Sequence, residues 1–365
     1  MRITYVTEDT DLWGGISVVF QQLELLSDAG HDAFLTTPAP KPDWYNLKVP
    51  VYRIEKLEAS LIPSADIIVA TSWRTIKPVV ESGKGTPVHL CQGYEGDYKE
   101  LADSKAFIDE VYSYRIPKLT VARHLEKLLI DRFRAETYFI GQLLDKDIFY
   151  PARDEKESGT DFSDLWKRTV SKFGTLFNKG RQYRAPFTIL VVGPFDVIFK
   201  NIPSALKGVW LAKESMKLPV RLIRASQFPL SDEEVKLIRP DAYYFHVPHE
   251  SMGEIYRRAD LFVSTSLEAE GFGLPALEAM GCGIPTILSN ISSYTSFDHP
   301  QDYALFVDPF DAKALEDSIS RLFHDNSLRE SLAKRGLSVA GNFTKEKVAI
   351  RLENSLTEIL RGTTN

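Results

Sequence analysis

Residues 261–285 read LFVSTSLEAEGFGLPALEAMGCGIP, with an apolar start, a glycine-rich centre and a helix-forming end. The apolar start is typical of a buried strand, and Pro275 suits the first turn of a helix, where its missing N–H costs nothing. The N–H groups of Phe272, Gly273 and Leu274 are then expected to point out of the helix N-terminus, where they can bind a phosphate. The stretch therefore predicts a strand, an anion-binding turn and a helix.

Two glutamates belong to this turn, Glu270 in the loop and Glu278, which we expect on the first helical turn. A carboxylate at the second position can accept two hydrogen bonds from a vicinal diol such as a ribose, and the first could bind another polyhydroxylated group. Two acids and a phosphate cradle at the carboxyl end of one strand are typical of a nucleotide site in an open α/β sheet. The alternative, two solvent-facing acids around a tight turn, would be favoured for an isolated pair but not in this full string.

Outward from this stretch, short β-rich runs alternate with amphipathic helical patterns, which is the βαβ pattern of a mostly parallel sheet. The helices with the clearest patterns are 16–29, closed by Gly30, and 122–133. The predicted strands are 3–6, 33–35, 66–70, 88–91, 137–140, 188–193, 220–223, 261–263, 286–288 and 305–307. The fold class is therefore α/β, with two Rossmann-like halves.

The βαβ pattern is interrupted between the two halves, where a charged run and a Lys/Arg-rich segment occupy residues 151–185. We therefore predict a first domain over 1–185, with this segment as its linker, a second domain over 186–345, and a helix over 346–365 that packs back on the body. Aromatic residues in 162–184 fall close to helical spacing beside basic ones. This pattern favours a linker helix packed on one domain, and the alternative is peripheral contact with an anionic membrane.

Composition limits the function classes. Of 365 residues, 44% are hydrophobic and 26% are charged, and the formal net charge of -6 argues against nucleic acid as a partner. Two cysteines, Cys91 and Cys282, exclude a disulfide framework and favour a reducing cytoplasm. The N-terminal segment does not have the pattern of a signal peptide, and no apolar run approaches the ~18 residues that a membrane span needs.

Residues 261–285, with their approach at 255–263, resemble the signature of the family-4 retaining glycosyltransferases of GT-B fold. That signature is Glu, seven residues, Glu, with Gly-Phe-Gly-Leu-Pro inside and Leu-Glu-Ala-Met-x-Cys-Gly-x-Pro following. Residues 138–151 resemble the family's exit from its first domain. The resemblance implies two Rossmann-like domains facing across a cleft and sugar transfer, with retention, from a nucleoside diphosphate sugar. The acceptor would be a saccharide or glycolipid, as in bacterial surface polysaccharide synthesis, with no cofactor beyond the donor substrate and no metal.

The resemblance also implies roles for the donor-binding residues. Glu278 would hold the donor ribose, Glu270 the transferred sugar, and the amides of residues 272–274 the diphosphate or sugar. Gly14 and Gly15 lie where the family's first-domain loop closes over the donor phosphates.

The start of the second domain, 191–201, resembles the family's Val-Gly-Arg followed by Lys-Gly, with Gly193 at the glycine position. Lys200 is the candidate catalytic lysine that would neutralise the leaving diphosphate. Pro194 replaces the family's arginine, and Lys200 comes one residue late. Either another cation such as Arg224 substitutes, or the loop is built differently.

The acceptor side departs from the family as well, because the usual histidine after the fourth strand is missing. The run QGYEGDY at 92–98 resembles a Gln-x-Tyr-Glu variant of some bacterial polysaccharide rhamnosyltransferases, which would place Gln92, Tyr94 and Glu95 in the acceptor cleft. A plain polar loop is the open alternative. His246 and His249 fall where the family binds the nucleotide base, although a structural role is commoner for such histidines. Residues 291–294 replace a common Gly-Gly-x-x-Glu pattern, which suggests unusual selectivity.

Other chemistries have little support in the sequence. His-x-x-x-His and Gly-x-Ser-x-Gly patterns are missing, so a zinc site and a hydrolase triad are not predicted, and we do not expect a metal-bound donor either. The loop at Gly14 lacks the Gly-x-Gly-x-x-Gly of dinucleotide dehydrogenases. The remaining alternatives are a GT-B phosphorylase or epimerase and a non-catalytic subunit that binds nucleotide sugar or glycan.

Overall fold

The computed structural model describes residues 1–152 and 186–363. Almost all of the predicted linker, including the stretch 162–184 considered for membrane contact, lies outside the described residues. The described chain forms two units, each a parallel sheet with helices on its faces.

The first unit is a seven-stranded parallel sheet with the strand order β3-β2-β1-β4-β5-β6-β7. Its strands are β1 (Arg2–Val6), β2 (Asp32–Thr37), β3 (Val51–Arg53), β4 (Ile67–Ala70), β5 (Thr86–Cys91), β6 (Lys118–Thr120) and β7 (Thr137–Phe139). Its helices are α1 (Gly14–Asp28), α2 (Trp73–Ser82), α3 (Lys105–Tyr112) and α4 (Arg123–Phe133). Short 3-10 turns lie at Ala59–Leu61, Glu95–Asp97 and Lys99–Ser104.

The second unit is a six-stranded parallel sheet with the strand order β10-β9-β8-β11-β12-β13. Its strands are β8 (Phe187–Val192), β9 (Val220–Ser226), β10 (Ala242–Phe245), β11 (Leu261–Ser264), β12 (Thr286–Ser289) and β13 (Leu305–Val307). Its helices are α5 (Ile202–Glu214), α6 (Asp232–Leu237), α7 (His249–Tyr256), α8 (Leu274–Gly281), α9 (Ser292–Thr295), α10 (Ala312–His324) and α11 (Asn326–Ala340), with a 3-10 turn at Ile198–Lys200.

The strand order places the cleft. In each sheet the chain starts in the middle, pairs outward on one side and then crosses to the other, so that β1 lies between β2 and β4 and β8 lies between β9 and β11. Loops at the carboxyl ends of such strands diverge and leave a crevice, where open α/β sheets bind ligands. The central strands are buried because helices cover both faces of a parallel sheet, and every residue of Ile67–Ala70 is inaccessible to water.

A last helix, α12 (Lys345–Thr363), follows the second unit in the chain but packs on α1 of the first. Lys345 Nζ lies 2.7 Å from Asp28 Oδ2, and Leu352, Leu356 and Ile359 are buried in a core that both units share. The chain thus passes between the units a second time, and α12 ties them together.

Candidate functional site

A cavity of about 520 Å³ lies between the carboxyl ends of the two sheets. Loops after β1, β4 and β5 line it from the first unit, and loops after β8, β9 and β11 line it from the second. The residues singled out from the sequence that line it are Gly14, Gly15, Gln92, Glu95, Gly193, Pro194, Lys200, His249, Glu270, Phe272, Gly273, Leu274, Pro275 and Glu278. The topology therefore brings together residues that are far apart in the sequence.

The N-terminus of α8 faces this cavity. Gly273 caps the helix with a φ of 91°, in the left-handed region that glycine adopts readily, and Pro275 lies in the first turn as predicted. Among the described residues, no acceptor is found for the N–H groups of Phe272, Gly273 and Leu274. These donors and the helix dipole make the turn a binding site for an anion.

Lys200 and Glu270 form an ion pair at the wall of the cavity. Lys200 ends the 3-10 turn after β8, and its Nζ lies 2.7 Å from Glu270 Oε2. Ser266 Oγ donates to the same carboxylate oxygen at 2.9 Å. Both charged side chains are largely withdrawn from water, with 19% of Lys200 and 7% of Glu270 exposed, so a charge entering the cavity interacts with them more strongly than it would in solvent.

Arg224 does not replace the missing arginine. Its guanidinium is completely buried, pairs with Glu234, and donates to the carbonyl oxygens of Val191 (2.8 Å) and Gly193 (2.9 Å). Since these bonds point into the second unit, Arg224 supports the loop at Gly193 from behind. Pro194 itself lines the cavity.

Glu278 is the fifth residue of α8, so it lies on the second helical turn and not on the first as predicted. Its half-buried carboxylate still lines the cavity and accepts a hydrogen bond from Tyr256 Oη at 2.7 Å. Burial raises the pKa of Glu278, while His249, the Tyr256 hydrogen bond and Lys200 act to lower it.

The sequence favours a structural role for His249, yet the ring of this residue lies near Glu278 and lines the cavity. Its Nε2 is buried, and no partner for it is found within residues 1–152 and 186–363. A histidine that begins a helix after a turn was the available signal. His246 is exposed on the preceding loop and does not line the cavity.

The N-terminus of α1 faces α8 across the cavity. The helix begins at Gly14, so the two glycines form its first turn and are not a separate loop before it. Gln92 Nε2 donates to Gly15 O at 3.0 Å and ties the loop after β5 to this turn. A Cβ added at Gly14 would lie 3.6 Å from Leu274 Cδ1, so the two helix N-termini approach each other closely.

Tyr94 is turned away from the cleft, contrary to its predicted place on the acceptor side. It is 3% exposed, and its hydroxyl binds Asp109 and Lys105 of α3. Tyr294, from the unusual run at 291–294, also lies behind the cavity, where its hydroxyl bonds Ser264 Oγ at 2.6 Å.

Glu95 does line the cavity, and its carboxylate reaches the N-terminus of α2. One carboxylate oxygen accepts from Tyr112 Oη, and the other accepts from Trp73 N at 3.4 Å. Burial raises the pKa of Glu95 from 4.5 to about 7, although these hydrogen bonds oppose the rise. The carboxyl group therefore changes its charge near neutral pH.

This shift has a consequence for stability. Because the folded state holds the Glu95 proton more tightly than the unfolded state does, the free energy of unfolding should fall as pH rises from 4.5 to about 7. In Glu95→Gln, the free energy of unfolding should fall less steeply with pH, by up to ~1.4 kcal/mol per pH unit, the value for one proton. Urea unfolding between those pH values measures it. Glu110→Gln, an exposed carboxylate on α3, is the control and should keep the wild-type slope.

Contacts across the mouth of the cleft were not foreseen from the sequence. Tyr98 of the first unit stacks on Phe199 of the second, with ring centroids 4.9 Å apart. Ile198 N donates to Glu100 Oε1 at 3.0 Å, and Trp13 meets Phe228 edge to face at 5.8 Å. The two units therefore touch beside Lys200, at the place where a substrate would be enclosed.

At Gly271 the backbones of the two units come close together. A Cβ added there would lie 1.9 Å from Gln92 O, so Gly271→Ala must push the loops of the two units apart. Since a displacement of about 1 Å can cost ~10²-fold in rate, the kcat/KM of the sugar transfer that the sequence predicts should fall by about that factor. The predicted nucleotide affinity should change little, because the second unit keeps the side chains and N–H groups expected to bind the nucleotide. Steady-state kinetics measures kcat/KM, and calorimetry measures nucleotide affinity. Gly362→Ala is the control and should resemble the wild type, because a Cβ added at Gly362 has no neighbour within 4 Å. Full activity in Gly271→Ala would contradict the contact.

The described residues contain no cluster of three or more His, Cys, Asp or Glu side chains suited to a metal ion. None of the described helices is long and apolar enough to cross a membrane.

The arrangement of two Rossmann-like units around one cleft defines the GT-B fold, and comparison with solved structures agrees. The sucrose-phosphate synthase (tll1590) from Thermosynechococcus elongatus aligns over 99% of this chain and 100% of its own, with a TM-score of 0.76 and 18% identity. Anabaena Alr3699/HepE in complex with UDP and glucose aligns over 98% and 99%, with a TM-score of 0.76 and 13% identity. These likenesses establish the fold.

Sequence comparison specifies the class further. Residues 234–339 match the family model described as glycosyl transferases group 1. O-antigen chain mannosyltransferase B of Escherichia coli is 38% identical over 113 residues, which are 31% of this chain and 29% of that protein. Mannosylfructose-phosphate synthase of Agrobacterium fabrum is 30% identical over 274 residues, 71% and 58% of the two chains. The matches thus span less than two thirds of these relatives. The predicted GT-B fold is confirmed, and residues 234–339 are similar to the glycosyl transferases group 1.

Proposed function

We propose that the protein is a retaining glycosyltransferase. It would move a sugar from a nucleoside diphosphate sugar to a saccharide or lipid-linked acceptor, without a metal ion, in the synthesis of a bacterial surface polysaccharide. A cytoplasmic location follows from this role. The observation that carries the proposal is the convergence, in one cavity between the two sheets, of the Lys200–Glu270 pair, Glu278 and the N-terminus of α8.

The donor is assigned to the second unit. The N–H groups of residues 272–274 and the Lys200 ammonium would hold the diphosphate, and Glu278 would accept hydrogen bonds from the ribose hydroxyls. Glu270, fixed by Lys200 and Ser266, would accept from hydroxyls of the transferred sugar. The family match at 234–339 and the UDP named in the Anabaena complex support this assignment.

The acceptor is assigned to the side of the first unit, near Gln92 and Glu95. As the bond between the sugar and the diphosphate breaks, the acceptor oxygen would bond to the same sugar carbon on the same face. The hydroxyl proton passes to the departing phosphate oxygen, so charge and atoms balance and configuration is retained. Lys200 and the amides of α8 stabilise the negative charge that grows on that phosphate. The contact between Tyr98 and Phe199 helps to exclude water.

Thermal unfolding in the presence of UDP, GDP, dTDP, ADP and CDP, with EDTA instead of metal, tests the donor site. A ligand that binds the folded state raises its stability, by about 2.7 kcal/mol at a hundred times its Kd. We expect one diphosphate to stabilise the protein far more than the others. The protein is then incubated with the corresponding nucleotide sugar and acceptor saccharides, and NMR determines the anomeric configuration of the product. An inverted product would contradict retention. Binding without turnover of any donor would support a non-catalytic subunit. If none of the diphosphates stabilised the protein, the assignment of the donor site would be wrong.

A further inference from the structure

A second cavity, of about 260 Å³, lies behind the donor cleft at the seam between the two units. Val121 and Phe272 line both cavities, and the Phe272 ring packs against Phe297 and Phe343, with centroids 5.2 and 5.6 Å away. Its wall includes Arg123, Phe139, Phe272, Ser296, Asn342 and Arg351. They come from both units and from helix α12.

Two arginines converge on this cavity over one aromatic ring. The guanidinium carbon of Arg123 lies 3.8 Å from the centroid of Phe139, and that of Arg351 lies 5.2 Å from the same centroid. Arg351 reaches from α12 to the first unit, where a Cβ added at Gly141 would lie 3.0 Å from its Nη1. The ring holds both guanidinium groups at the cavity wall, because cations are attracted to aromatic faces.

The charge of the cavity is opposite to that of the chain. None of its lining residues is acidic, whereas the chain as a whole has a formal net charge of -6. Lys347 adds a cation at the rim, with its Nζ 3.4 Å from Asn342 Oδ1. Glu126 pairs with Arg123 at 2.7 Å, but both are partly exposed, and such a surface pair contributes only ~0–1 kcal/mol. An anion of higher charge can therefore displace the glutamate.

We propose that this cavity is a second binding site, for a small phosphate-bearing molecule distinct from the donor. Two guanidinium forks match the oxygen geometry of phosphate groups, and Ser296 and Asn342 add polar groups to the wall. The cavity has half the volume of the donor cleft, which suits a phosphorylated monosaccharide or pyrophosphate better than a nucleotide sugar.

Phe272 couples the rear cavity to the donor cleft. Its ring forms a wall of the rear cavity, while its backbone belongs to the turn that faces the donor cleft. A molecule that fills the rear cavity fixes this ring and bridges the two units, so it changes the affinity of the cleft. Linkage requires that a nucleotide in the cleft change the affinity of the rear cavity by the same factor.

Calorimetric titration with inorganic pyrophosphate, and separately with glucose 6-phosphate, tests the proposal on the full chain. In the double variant Arg123→Ala/Arg351→Ala, the affinity of the rear cavity should fall at least tenfold. Binding in the cleft should be kept. Arg2→Ala is the matched control, since Arg2 also lies over a phenylalanine, at 5.1 Å from the Phe34 centroid, but far from the cavity. Arg123→Lys/Arg351→Lys keeps the charge and loses the forks, and its affinity should be intermediate.

Lys200→Ala separates this proposal from the proposed function, because it weakens the cleft and leaves the rear cavity intact. Pyrophosphate binding that persists in Lys200→Ala and disappears on adding the two arginine changes supports the second site. Binding that is lost in Lys200→Ala alone, or that is unchanged by the arginine changes, overturns it. If glucose 6-phosphate binds the rear cavity more tightly than pyrophosphate, the ligand is a sugar phosphate; the reverse order assigns the cavity to pyrophosphate itself.

Discussion

Lys200→Ala is expected to lower kcat for sugar transfer by about 10²–10³-fold, the loss typical of removing one group that stabilises developing charge. The Lys200 ammonium is the cation that faces Glu270 in the donor cavity, and its side chain is only 19% exposed. Without it, the charge on the leaving diphosphate would rely on the amides of α8. Glu270 would also keep a buried carboxylate with Ser266 as its remaining partner, so part of the loss comes from a displaced glutamate.

The two contributions can be separated. Lys200→Arg keeps a positive charge beside Glu270 and should recover part of kcat, whereas Lys200→Ala/Glu270→Gln removes the unpaired carboxylate and should recover at most the part of the loss that the displaced glutamate causes. Lys207→Ala, an exposed lysine of α5, serves as the control for the loss of a lysine from this unit. Stopped-time assays with the stabilising donor give kcat, and thermal unfolding verifies that each variant is folded. Wild-type kcat in Lys200→Ala would remove this lysine from the mechanism.

Glu278→Gln should weaken binding of the preferred nucleoside diphosphate by about 10–100-fold, because a hydrogen bond to a charged group contributes ~1.5–3 kcal/mol. The half-buried carboxylate is already oriented by Tyr256 and is placed to accept from a diol. An amide can accept at one atom only, so the second hydroxyl of a ribose would lose the acceptor for its proton. Since burial raises the pKa of Glu278, wild-type affinity should also fall on the acid side of neutrality.

Glu268→Gln provides the control, because Glu268 lies in the same loop but is exposed and accepts from Ser292 N outside the cavity. Its affinity for nucleotide should equal that of the wild type. Calorimetry at several pH values compares the three proteins, and the variant Glu278→Gln should lose the decrease in affinity at low pH. If the nucleotide binds equally well to Glu278→Gln, the ribose assignment would be wrong.

Much of the fold could be predicted because apolar runs and turn residues give unambiguous signals. The bounds of Leu305–Val307 agree with the prediction, and Gly30, with a φ of 87°, ends α1 as expected. Short strands without such a signal were missed. Lys118–Thr120 contains a lysine, yet Lys118 is fully buried, and burial lowers its pKa to about 8. No sequence pattern predicts a buried lysine in a strand of a sheet.

The site was predictable where one segment supplies several groups and less so where two segments must meet. Residues 270–278 act within one loop and helix, so spacing alone placed them at one edge, although the helix start shifted Glu278 by a turn. Arg224 was considered for the cleft, but its partner Glu234 comes from another element. Likewise, neither Tyr98 nor Phe199 carries a signal that the two face each other. Such contacts depend on how the units pack.

The return of α12 to the first unit determines the order in which the protein can be completed during synthesis. A ribosome makes the first sheet early, but Leu352, Leu356 and Ile359, which lie in the shared core beside α1, leave it only after the whole second unit. Until then the nascent first unit presents an uncovered apolar strip to water, the kind of surface that promotes aggregation. A fragment that contains only the first unit would keep that strip exposed permanently, so the first unit depends on α12 for the complete burial of its apolar surface.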